Sequence, residues 1–139
     1  MCILCDKEID YESIKELRIC TKIKELSNLL INLENLDISQ TYIKYIPKEF
    51  IKLKFLNCGA CFELFNIPKE LKNLEILYCN STKITCIPKE LINLRILDCY
   101  NTNISNIPKE LINLEEISYN NTKILSFPKE LKKLIRLIK

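Results

Sequence analysis

The stretch IPKELINLRILDCYNTNISN, residues 87–106, decides the architecture, because Ile107 begins the same phrase again. Prolines fall at 47, 68, 88, 108 and 128, so the spacings are 21, 20, 20 and 20. Each opens a near-identical word: IPKEF from Ile46, IPKEL from Ile67, Ile87 and Ile107, and FPKEL from Phe127. A fixed period of roughly 20 to 50 residues is the mark of a solenoid, whose units bury their apolar sides against one another. Written from its first aliphatic, the unit reads LxxLx(C/I)xxTxIxxIPKELxN. Leu94, Leu97, Cys99, Thr102, Ile104, Ile107 and Leu111 mark its recurring positions.

This unit resembles the leucine-rich repeat family, whose pattern is LxxLxLxx(N/C)xL over roughly 20 to 29 residues. The resemblance covers residues 14–139, and its register recurs six times. The unit length sits at the short end of the family. One departure is consistent: the family's usual Asn is replaced by Thr41, Thr82, Thr102 and Thr122, and by Cys61 in the third unit. The resemblance implies an α/β leucine-rich-repeat solenoid, a right-handed superhelix with a parallel concave sheet and short helical or 3-10 convex segments. It also implies that partners bind on the concave face.

Elementary physics points the same way. Around Leu97-Asp98-Cys99 side chains alternate in and out, as in a short strand, and such strands can stack in parallel roughly 4.8 Å apart. The threonine hydroxyl then points inward at the turn leaving the strand, where it can bond freed backbone groups. Proline suits the first turn of a short helical segment, where its fixed φ is wanted and its missing N–H is not needed. Asn73, Asn93 and Asn113 close that segment, since asparagine tolerates the left-handed conformation of a helix end.

Residues 1–13 fall outside the repeat and are expected to form an amino-terminal cap, with Ile3, Leu4, Ile9 and Tyr11 on its apolar side. The repeat domain then runs over 14–139, in units 14–32, 33–52, 53–73, 74–93, 94–113 and 114–133, with a partial unit 134–139. The first unit is one residue short between Ile19 and Thr21. The third carries one extra residue in Cys61-Phe62-Glu63-Leu64, which should bulge the coil locally. The partial unit ends within what would be a seventh strand, without a cap. Its open edge and aliphatic side chains make a homodimer through this end an alternative to a foreign partner.

The net charge of +3 is small and the lysines and glutamates are interspersed. Lys48, Lys69, Lys89, Lys109 and Lys129 form one column beside Glu49, Glu70, Glu90, Glu110 and Glu130, which reads as a solvated face. No basic stripe points to nucleic acid. No apolar run approaches the ~18 residues of a membrane span, and the start MCILCDKEID lacks a signal-peptide pattern, so a cytoplasmic location is expected. The glycosylation patterns at Asn80, Asn103 and Asn120 follow from the repeat itself. Abundant Lys, Ile and Asn with a single Gly suggest an AT-rich genome. Together with the resemblance this points to a giant DNA virus or an intracellular bacterium.

Eight cysteines first suggest a disulfide framework. Cys58, Cys79 and Cys99, however, occupy the second inward position of their strands, where small buried thiols pack well, and cytosolic thiols stay reduced. Cys61 sits in the family's own Asn-or-Cys slot. A sharper reading is zinc held by Cys2, Cys5, Cys58 and Cys61, two CxxC pairs. Against it, three coils would separate the pairs. Without histidine no Ser-His or Cys-His couple can form within the chain, and Gly59 alone makes no phosphate loop. The chain is therefore expected to be non-catalytic and to need no cofactor.

A protein or peptide partner is expected on the concave face, at Phe55, Ile76, Tyr78, Ile96, Asp98 and Tyr100. Phe55, Ile76 and Ile96 fall at the same position of consecutive units, where other units are polar, and the two tyrosines lie beside them. Such an apolar column with aromatics is the composition of a contact patch, although single exposed apolar residues are ordinary.

Overall fold

A computed structural model describes residues 10, 13–19 and 23–139. Its unit is a strand of three residues with the middle side chain turned inward. Seven such strands follow one another: β1 (Glu16–Arg18), β2 (Asn35–Asp37), β3 (Phe55–Asn57), β4 (Ile76–Tyr78), β5 (Ile96–Asp98), β6 (Glu116–Ser118) and β7 (Arg136–Ile138). They form one parallel sheet in chain order, so each strand pairs only with its sequence neighbours. The register brings Leu17, Leu36, Leu56, Leu77, Leu97, Ile117 and Leu137 into one line. The first six of these are buried, while Leu137, on the last of the described strands, is 52% exposed. The seven repeat positions read from the sequence, Leu94 to Leu111, are all buried.

The threonine column behaves as its chemistry requires. The hydroxyls of Thr41, Thr82, Thr102 and Thr122 each donate to the carbonyl three residues back, Ile38, Cys79, Cys99 and Tyr119, at 2.7 Å. The residue before each ladder position is left-handed: Gln40, Ala60, Ser81, Asn101 and Asn121 have φ between 54° and 59°. Four of these five N–H groups cross to the next coil, as in Gln40 to the Gly59 carbonyl (2.9 Å) and Asn101 to that of Asn120 (2.8 Å). The reversal at the strand's exit is thereby tied to the stack as well as to its own coil.

The opposite side corrects one expectation. No helix or 3-10 segment occurs among the described residues; the coils return through turns. Leu111 N–H donates to the Pro108 carbonyl (3.2 Å) and Leu114 N–H to that of Leu111 (3.0 Å), two separate turns whose bonds do not overlap as a helix requires. Pro108 to Leu114 is seven residues, about two α-turns at most, and both leucines must still point inward. A segment this short repays little of the cost of nucleating a helix.

The role assigned to Asn73, Asn93 and Asn113 is corrected as well. None has positive φ. Their side-chain amides instead donate to carbonyls of the preceding coil, Ile51, Lys72 and Ile92, at 2.8, 2.9 and 2.9 Å. They form a second ladder that clips the turn side of one coil to the next.

The extra residue of the third unit is absorbed in a turn, with Leu64 N–H on the Cys61 carbonyl (3.0 Å) and Leu64 fully buried. The sheet register is undisturbed, since Phe55 still pairs with Ile76. Of the amino-terminal cap expected over 1–13, only Asp10 and Ser13 are described; the rest, and the shortened stretch at Cys20 to Lys22, lie outside the described residues.

Candidate functional site

Alternation along each strand leaves two columns on the outer face of the sheet. The first runs Glu16, Asn35, Phe55, Ile76, Ile96, Glu116 and Arg136; the second runs Arg18, Asp37, Asn57, Tyr78, Asp98, Ser118 and Ile138. The structure thus brings Phe55, Ile76 and Ile96 side by side on adjacent strands, each half-buried. The Tyr78 ring meets the Phe55 ring edge-on, with centroids 5.6 Å apart at 87°. These four side chains form one apolar patch over β3 to β5.

Polar pairs bound that patch on both sides. Toward the start, Asn35 donates to the Glu16 carboxylate (3.1 Å) and Arg18 lies 3.4 Å from Asp37. Toward the end, Arg136 reaches Glu116 at 3.2 Å. Of the two remaining expected residues, Asp98 borders the patch as the cross-strand partner of Tyr78, and Tyr100 stands apart from it. Asp98 is drawn into its own strand end: burial pushes its carboxyl up, against hydrogen bonds from the Tyr100 N–H and the Ser118 hydroxyl. Tyr100 lies two residues past the end of β5, exposed, in line with Gly59 and Asn80 rather than with the isoleucines.

One feature at the strand entrances went unread in the sequence. Lys15, Glu34, Lys54, Glu75, Arg95 and Glu115 occupy equivalent places in successive coils and alternate in sign. Glu34 sits between Lys15 (3.8 Å) and Lys54 (2.9 Å), and Arg95 clasps Glu115 through two bonds of 3.1 and 3.0 Å. The Lys54 ammonium holds the Glu34 carboxyl below its ordinary range, and Arg95 does the same to Glu115. These groups are exposed, so the ladder contributes little to stability. The signal was the 20-residue spacing of opposite charges.

The cysteine column is packing. Cys58, Cys79 and Cys99 are fully buried and unpaired, and burial raises all three thiols, Cys99 to about 12. A thiol so protonated is a poor metal ligand. The Cys58 and Cys61 thiols donate to the carbonyls of Tyr78 and Ile38. No group of three metal-binding side chains gathers among the described residues, and Cys2 and Cys5 lie outside them.

Comparison with known proteins agrees with this geometry. The family model of the Leucine Rich Repeat matches residues 93–114. The crystal structure of an internalin from Listeria monocytogenes superposes with a TM-score of 0.71 at 20% identity, over 88% of this chain and 38% of that one. At that identity the likeness is one of fold, and this chain spans well under half of the longer protein. No curated protein matches the sequence.

Proposed function

The chain is a leucine-rich-repeat solenoid, and from that premise we propose that it is a non-catalytic scaffold binding a protein or peptide on its sheet face. The observation that carries the reading is the apolar run Phe55, Ile76 and Ile96 in register, with Tyr78 against it and ion pairs closing both ends. A central apolar cluster within a polar rim is the anatomy of a protein interface. A reducing, cytoplasmic setting suits the five unpaired thiols among the described residues.

The test is affinity capture with the wild-type chain and with Ile76→Glu/Ile96→Glu. The double variant should lose the captured partner while still folding cooperatively, with a melting temperature lowered by only several degrees. Equal capture by both would exclude the sheet face.

A second reading rests on β7. Ile135, Leu137 and Ile138 are exposed, and the far edge of this strand has no neighbour among the described residues. Pairing with a second copy through this end would make the chain a self-assembling module. Light scattering over a concentration series separates the readings, because a dimer that dissociates on Leu137→Lys/Ile138→Lys supports the second and a monomer leaves the first.

A further inference from the structure

Five large aromatic side chains are exposed among the described residues, and four of them, Tyr42, Tyr45, Phe62 and Phe65, stand on the flank just past the ladder position in units two and three. Equivalent places in unit five are Asn103, Ser105 and Asn106, so the repeat itself does not call for aromatics there. Tyr45 is 73% exposed, far more than packing against its own coil would leave. An aromatic cluster left in water at one place marks a contact surface.

The tyrosines line an open cleft of about 570 Å³ together with Lys24, Glu25, Lys44 and Glu63. That volume is in the range of pockets that take small ligands or short chain segments. Glu63 is paired with Lys83 at 3.5 Å, and the Lys83 ammonium lies 5.1 Å over the Phe65 ring. Lys24, Lys44 and Glu25 have no ion pair among the described residues. The cleft therefore carries two unpaired ammonium groups against one unpaired carboxylate, an excess of positive charge beside apolar rings.

We infer that this cleft is a second binding surface, separate from the sheet face, for an extended acidic segment containing proline. Proline rings pack on aromatic faces, and the polyproline conformation leaves its carbonyls unpaired, free to accept from tyrosine hydroxyls. The Tyr42 and Tyr45 hydroxyls donate no hydrogen bond among the described residues. Lys24 and Lys44, from the same position of adjacent coils, answer the segment's carboxylates. Glu25, the unpaired carboxylate of the lining, opposes a nucleic-acid strand, whose phosphates recur at every residue.

The experiment titrates a fluorescent, end-blocked octapeptide of alternating glutamate and proline with the intact protein. It is run beside a copy with glutamine for glutamate and beside single-stranded oligothymidine. The acidic peptide should bind about tenfold more tightly than the glutamine copy. Tyr42→Ala/Tyr45→Ala should weaken it about tenfold or more, with an unchanged urea midpoint showing that the fold persists. Lys24→Gln/Lys44→Gln should make the two peptides equal, and Ile76→Glu/Ile96→Glu should leave binding as it was. No binding at millimolar peptide, equal affinity of the wild type for both peptides, indifference to the tyrosine substitutions, or equally tight oligothymidine would each overturn the inference.

Discussion

The Thr41 hydroxyl and the Cys61 thiol, 3.5 Å apart in successive coils, both donate to the Ile38 carbonyl, at 2.7 and 2.9 Å. In the irregular third unit the Cys58 carbonyl, which a ladder hydroxyl would serve in a regular coil, is bonded by the Cys61 N–H (3.2 Å). The substitution of Cys for Thr therefore leaves no carbonyl unserved.

Unequal costs along the ladder follow. Thr102→Val keeps the shape but strips the buried Cys99 carbonyl of its hydroxyl donor, which should cost about 1–3 kcal/mol. Cys61→Ser keeps a donor near Ile38, whose carbonyl also retains Thr41, so it should cost less than Thr102→Val. Urea unfolding of both variants checks the order.

Asn93 offers a direct contrast between two roles. A helix-end asparagine would tolerate glycine, whereas the observed side-chain bond to the Lys72 carbonyl would be lost with it. Asn93→Gly should lower stability by about 0.5–1.5 kcal/mol, the net value of a hydrogen bond, plus a fraction for added chain freedom. An unchanged or raised melting temperature would count against the clip.

Ala60 holds φ 56° at the place where units five and six use asparagine. Left-handed geometry disfavours alanine and is better tolerated by asparagine. Ala60→Asn should therefore stabilise the fold by about 0.5–1 kcal/mol, read as a higher urea midpoint with the same slope.

Alkali should loosen the solenoid through its buried thiols. The folded Cys99 thiol is pushed by burial, and secondarily by Asp98, from an ordinary 9.0 to about 12. The unfolded chain thus loses this proton first, so the thiol's contribution is complete below pH ~9 and is lost as pH rises toward ~12. At pH ~10.5 the loss is about 2 kcal/mol, at about 1.36 kcal/mol per pH unit. Cys99→Val should flatten the alkaline limb of the stability profile relative to wild type; parallel profiles would exclude a protonated thiol.

Neighbouring residues on β5 should respond in opposite ways. Leu97 is fully buried, and Leu97→Ala should cost about 2–5 kcal/mol by hollowing the core. Ile96 next to it faces outward in the apolar column, and Ile96→Glu should cost under about 1 kcal/mol while changing what the sheet face binds. Melting curves of the two single variants test the alternation.

The sequence by itself determined the solenoid, the parallel strands, the buried columns and the threonine ladder, because one period fixes which side chain meets which. Leu97 must lie over Leu77 once both units have the same length, and Phe55, Ile76 and Ile96 must then share a column. Only the tertiary structure decided the turn side, where Pro108 to Leu114 could be written as a helical turn but closes instead as two successive turns. It alone gave Asn73, Asn93 and Asn113 their partners, since a bond to the coil before has no trace in local propensity. It also set Tyr100 apart from Ile96 and gathered Tyr42 and Tyr45 with Lys24 around one cleft. Those placements depend on where the chain turns after the strand, and the period leaves that turn open.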